Sequence, residues 1–226
     1  MDPQLPFARG EDRLRLLYRL PLAGDEAAIL VLGPEGSAAM AFEAQDARVH
    51  FRRWPLEIAG ADRAPARFDV VALPGTLTST FGPRGAGSAR RFVDVAHALL
   101  APGGVVVGHL DHVTSVRGIQ QLLSGGHAWQ RMQAWRGFET AGRCIDSLEG
   151  AGFQSAECFF VEPRITDPLA LVSSADQAAR SHFVRVVRRN RPLYSPAGYR
   201  MRIALARVGL GGLLQPHLFF CARKAC

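Results

Sequence analysis

Cysteine, lysine and aromatic side chains are scarce in these 226 residues. The four cysteines (Cys144, Cys158, Cys221 and Cys226) include no CxxC pair, which argues against a zinc site or a disulfide framework and for reduced, structural thiols. Aromatics make up 8% of the chain, and no apolar run approaches the roughly 18–20 residues that a membrane-spanning helix requires. The first residues, MDPQLPFARGEDRLR, carry acids and lack an apolar stretch, so they do not read as a signal peptide. A cytoplasmic protein is the expectation. What is present is ample for a core: 48% of residues are hydrophobic and 21% charged, which excludes global disorder. The length suits a single large domain.

Acidic residues are missing altogether after Asp176. Beyond it lie Arg180, Arg185, Arg188, Arg189, Arg191, Arg200, Arg202, Arg207, Arg223 and Lys224, a local charge of +10. The remaining 17 cations face all 20 acids, so the first 176 residues are net −3 and the basic character belongs to the last quarter. Such a stretch is either a solvated face or a contact for an anionic partner. An anionic membrane surface or a phosphorylated carrier, met by the region from Arg180 to Arg207, is one expectation, with peripheral placement at the inner membrane. A protein partner or a homodimer is another. No nucleic-acid recognition motif accompanies the charge, so nucleic acid is not expected.

Strand and helix patterns alternate along most of the chain. Residues 27–33 (AAILVLG), 48–54 (RVHFRRW), 68–74 (FDVVALP) and 105–109 (VVVGH) read as strands, two of them ended by glycine or proline. Further strands are expected at 156–161 (AECFFV) and 217–223 (HLFFCAR). Helical spacing is read over residues 13–20, 36–46, 88–100, 114–123 and 140–151. Alternation of this kind predicts an α/β domain with a mostly parallel sheet covered on both faces. The exception, residues 162–215, is basic and proline-punctuated and is expected to be a helical insertion before the last strand. The domain is then residues 1–226, with the core sheet in 27–161 and 216–226.

Four motifs in this order resemble the class I S-adenosylmethionine-dependent methyltransferases. Ile29-Leu30-Val31-Leu32-Gly33-Pro34-Glu35-Gly36 looks like that family's first strand running into its cofactor loop. Arg67-Phe68-Asp69-Val70-Val71 is similar to the start of its fourth strand. Leu99-Leu100-Ala101-Pro102-Gly103-Gly104-Val105 resembles the turn before its fifth, and Leu148-Glu149-Gly150-Ala151-Gly152-Phe153 the junction before its sixth. The resemblance covers about two-thirds of the chain. It implies a Rossmann-like fold, S-adenosylmethionine as cofactor, and methyl transfer to a small or carrier-bound molecule. The implied cofactor contacts are Gly33, Pro34, Glu35, Gly36, Arg52, Asp62, Leu73 and Pro74.

Several positions depart from the family pattern. Glu35 and Ser37 stand where the loop's second and third glycines belong, and Arg52 or Arg53 where a carboxylate receives the ribose hydroxyls. Only 34 residues separate Gly33 from Phe68, too few for the usual set of elements, so a shortened sheet between the second and fourth strands is predicted. These departures leave a second reading open: a non-catalytic protein of this fold that has lost the cofactor and binds a partner or carrier.

Methyl transfer needs positioning above all, with a base only for some nucleophiles. The densest titratable cluster is His109, Asp111 and His112 after the fifth family strand, where one histidine could deprotonate a substrate. No metal site is expected there. Residues 199–215 place Met201, Leu205 and Val208 on one face, with Arg200 and Arg207 elsewhere. Such a helix lies on an anionic membrane, covers an apolar substrate tail or packs on its own domain.

Overall fold

The computed structural model describes residues 27–33, 48–53, 67–76, 89–112, 114–116, 118–120, 138, 140–164, 167–176, 178, 196–208, 210–215 and 217–226. The helical patterns at 13–20 and 36–46 fall outside them, as do residues 117 and 121–123 of that at 114–123.

Short apolar runs become the strands β1 (Ala28–Gly33), β2 (Arg48–Arg53), β3 (Phe68–Thr76) and β4 (Leu100–Asp111). β5 (Phe153–Arg164), β6 (Asp167–Ser173) and β7 (His217–Lys224) complete one seven-stranded sheet in the order β2-β1-β3-β4-β7-β5-β6. β1 to β4 are mutually parallel. β7 runs against both β4 and β5, so β5 shares the direction of the first four strands, and β6 returns antiparallel at the edge. Five of the seven strands therefore point one way. Residues 54–66, between β2 and β3, lie outside the described residues, and with them the predicted shortening of the sheet.

Alternation along each strand sorts side chains to two faces. Leu30, Leu32, Val71, Leu73, Val106, Leu110, Phe160 and Phe220 form the larger core layer. Helix α1 (Ala89–Leu99) presses Phe92, Val93, Ala96 and Leu99 onto it, residues spaced three and four apart as a helical stripe requires. Helix α2 (Ala141–Glu149) adds Cys144 and Leu148. Each fully buried leucine or phenylalanine stabilises by roughly 1.5–3 kcal/mol. The opposite layer is built from Ile29, Val31, Val70, Ala72, Val105, Val107, Val161 and Phe219.

The turns explain the glycine motifs. Gly103 has φ +75°, and a Cβ on Gly104 would lie 2.9 Å from the Ala101 carbonyl oxygen. Asp69 accepts the Ala28 N–H at 2.9 Å, so the Phe-Asp pair that opens β3 also ties down the start of β1. Thr140 caps α2, its hydroxyl accepting the Arg143 N–H at 3.2 Å. Past the helix, Gly152 takes φ +93°. At the C-terminus of α1, Lys224 donates from Nζ to the carbonyls of His97 (2.7 Å) and Leu100 (2.9 Å), groups that a helix end leaves without intrahelical donors.

One expectation needs correction. Residues 162–215 are not helical throughout: β5 runs on to Arg164, and β6 pairs with it from Arg164↔Asp167 to Phe159↔Ser173. The Leu-Ala-Leu-Val run of β6 is a strand signal, and its one proline, Pro168, is tolerated because β6 lies at the sheet's edge. Among the described residues of the insertion, helix is found in α3 (Pro196–Arg207) and a 3-10 turn, Gly211–Leu214.

Candidate functional site

In an open α/β sheet, ligands bind beyond the carboxyl ends of the strands where the strand order reverses. Here β1 sends the chain outward to β2 and then back across to β3, so the reversal lies between β1 and β3. Gly33 closes β1 at that point, level with Arg53, while Leu32 is level with Arg52. β3 ends beside them in Leu73, Pro74, Gly75 and Thr76. The Leu73 side chain is buried in the larger core layer, so what it presents to the cleft is backbone. Pro34, Glu35, Gly36 and Asp62 lie outside the described residues.

The strand order decides the fold: a reversed last strand sits between β4 and β5, after four parallel strands with the crossover at β1. The chain has a Rossmann-like fold with the strand order of the class I methyltransferases. No family model matches the sequence, and no curated protein matches it either. Solved structures of similar topology include a phosphoethanolamine N-methyltransferase of Haemonchus contortus bound to phosphomonomethylethanolamine and S-adenosylhomocysteine. It is 12% identical with a TM-score of 0.49, and the match covers 95% of this chain but 52% of that one. The present chain thus spans about half its length. A possible histamine N-methyltransferase of Thermotoga maritima is 11% identical, TM-score 0.46, over 96% and 89% of the two chains. A cyclopropane synthase of Mycobacterium tuberculosis is 14% identical, TM-score 0.45, over 93% and 82%.

The cluster expected at the end of β4 does not share one face. Val105 and Val107 belong to one core layer and Val106 and Leu110 to the other, so alternation sets His109 with the former. It is 5% exposed and level with Thr76 on β3 and Phe219 on β7. His112, also 5% exposed, follows the strand and rests its ring 5.8 Å from that of Phe160, in the opposite layer. Asp111 is level with His217 at the start of β7. No group of three possible metal ligands occurs among the described residues.

His112 has a defined structural duty. Its Nδ1 lies 2.9 Å from the Gln215 carbonyl oxygen and its Nε2 2.8 Å from the Thr114 hydroxyl. A carbonyl only accepts, so Nδ1 carries the proton, and Nε2 receives the Thr114 hydroxyl proton. The ring therefore fastens the segment after β4 to the segment before β7, residues 103 apart in sequence. Ser115, nearly fully buried, accepts the Gly118 N–H at 3.0 Å and holds the next turn. Acting as a base would require His112 to exchange its Thr114 contact for a substrate. No sequence signal marks Gln215 as its partner, because the bond uses a backbone oxygen.

The donor set at the reversal point can be matched against the cofactor that the fold implies. Gly33 puts no side chain between β1 and a ligand, which suits close approach of a nucleoside. Arg52 and Arg53, at the end of β2, supply donors only; they can donate to ribose oxygens but receive nothing from ribose hydroxyls. Gly33 fits the cofactor, whereas the arginines can meet its ribose oxygens only as donors and leave the ribose hydroxyls without an acceptor.

Proposed function

We propose that the protein is a methyltransferase that takes S-adenosylmethionine at the reversal point between β1 and β3 and acts on a small or carrier-bound molecule. The observation that carries this reading is Gly33 at the carboxyl end of β1, next to the crossover to β3. Gly33 and the 73–76 end of β3 would hold the cofactor through backbone, with Arg52 and Arg53 donating to its ribose. When bound, the cofactor supplies a methyl group on a positively charged sulfur. The protein's own contribution is to orient the acceptor and exclude water. His109, at the end of β4, would accept a proton from a hydroxyl, thiol or amine where the acceptor needs a base.

A second reading is favoured by the arginines at the end of β2 and by the structural engagement of His112: a protein of this fold that binds a partner or carrier without methyl transfer. Isothermal titration with S-adenosylmethionine and S-adenosylhomocysteine separates the two. We expect micromolar dissociation constants. Absence of binding up to about millimolar, where the binding free energy has fallen to roughly −4 kcal/mol, would sink the methyltransferase reading.

A further inference from the structure

Helix α3 shows its apolar residues to water. Met201 is 51% exposed, and Val208, which continues the last turn through its N–H bond to the Ala204 carbonyl at 3.3 Å, is 67% exposed; Leu210, exposed just beyond, is held there by its N–H bond to the Leu205 carbonyl at 2.8 Å. Met201 and Val208 are seven residues apart, so they lie one above the other on the helix surface. The exposed Ala204 falls between them. Arg200 and Arg207 repeat the same spacing one position earlier and are exposed too, forming a parallel cationic stripe along the apolar one. Ile203, on the opposite side, and Leu205, at the border of the Met201 stripe, are both partly buried. Packing on the domain therefore accounts for Leu205 but not for Met201 or Val208.

A second exposed apolar pair, Val116 and Ile119, belongs to the segment after β4. β4 ends where β7 begins, at Asp111↔His217, and the bond from His112 to Gln215 joins the two flanking segments. Both apolar groups therefore leave the sheet at its carboxyl end. The five large hydrophobic side chains that are exposed among the described residues all belong to these two segments.

We propose that this end of the molecule docks on an anionic phospholipid surface, with Met201, Val208, Leu210, Val116 and Ile119 entering the interface and Arg200 and Arg207 meeting lipid phosphates. Charge complementarity selects the occupant. No acid follows Asp176, so the cationic stripe has no local counter-charge in sequence, and adjoining apolar and arginine stripes suit a surface that is apolar beneath and anionic above. Docking would turn the carboxyl ends of the parallel strands toward the bilayer. The proposal does not depend on methyl transfer, since vesicle binding is measured without cofactor.

The test is co-sedimentation of the full chain with vesicles of phosphatidylcholine, with and without phosphatidylglycerol. The wild type should bind the anionic vesicles, release in high salt and leave the neutral ones largely unbound. Arg200→Gln with Arg207→Gln should lower the partition coefficient about 30-fold, at about 1 kcal/mol per arginine. Met201→Ser with Val208→Ser should lower it several-fold at unchanged charge. All four side chains are exposed, so both double variants should keep the wild-type circular dichroism and melting temperature. Failure of the wild type to bind anionic vesicles would overturn the proposal. So would a silent apolar pair combined with arginine-dependent binding to heparin or RNA, which would assign the surface to a soluble polyanion. Concentration-dependent dimerisation abolished by the apolar pair, without vesicle binding, would assign it to a second copy of the chain.

Discussion

Ser155 carries the one positive φ (50°) at a non-glycine position among the described residues, and it sits in the register shift between Gln154 and Glu157 where β5 bulges against β7. An L-residue strains in that region, so Ser155→Gly should raise stability by about 0.5–1 kcal/mol, read as a higher urea midpoint at unchanged slope. Gly108 shows the converse. A Cβ there would come within 2.6 Å of Phe220 Cζ, and the phenylalanine is fully buried with nowhere to turn. Gly108→Ala should cost about 2 kcal/mol, again seen in urea unfolding. A neutral outcome would mean that the β4–β7 pairing has slack. Neither effect is legible in the sequence: Gly108 interrupts an otherwise ordinary valine strand, and only the pairing Gly108↔Phe220 gives it a reason.

At the scale of elements, the end of α1 gathers three groups whose charges oppose one another. Burial, and then the neighbouring Lys224, lower the His97 pKa, outweighing the Gly152 backbone and Asp94, which raise it. Burial and then Arg67 lower the Lys224 pKa in turn, while the carbonyls of His97 and Leu100 hold its ammonium in place. For His97 the unfolded chain takes up a proton before the folded one does. Its contribution is therefore complete above the ordinary imidazole range and is lost as the pH falls through that range. His97→Gln should flatten the loss of urea stability between about pH 7.5 and 5.5, the span over which an unperturbed histidine titrates. An equally steep loss in the variant would place the acid sensitivity elsewhere. Lys224→Met should cost about 1–2 kcal/mol at neutral pH by leaving two carbonyls without a donor, and should also ease the protonation of His97. The elements themselves were largely legible. β1, β2, β3, α1, α2 and β7 follow from apolar runs and helical spacing that stop at glycine, proline or a cap. β6 was obscured because its four apolar residues sit among prolines and arginines and pair only with a strand reached by a tight return. The candidate site was legible at Gly33 and at the histidines. What each histidine touches was not, since the Gln215 carbonyl and the Phe160 ring reach His112 from distant parts of the chain.

Over the whole molecule, the thiols report on integrity. Cys144 and Cys158, distant in sequence, meet in the larger core layer, where burial and the neighbouring thiol push Cys144 well above the usual thiol range. Cys221 is pushed up to about 11, first by burial and then by Glu157, with Arg223 opposing. Cys226 is exposed. Brief maleimide treatment of the native protein should therefore modify Cys226 and leave Cys144 and Cys158 to react only on global unfolding, as mass spectrometry would show. Labelling of Cys144 at the rate of Cys226 would mean that α2 opens independently. The place of β7 has a further consequence, in time rather than space. It is the last of these seven strands to be made and stands inside the sheet, where β4 and β5 each need it as a neighbour. As the chain leaves the ribosome, the β1–β4 portion and the β5–β6 hairpin can each form, but both keep a bare edge open for the whole interval of synthesis between them and β7. The nascent protein is thus two unfinished sheets waiting for one strand, and whatever delays residues 217–224 prolongs the period in which each edge can pair with a stranger.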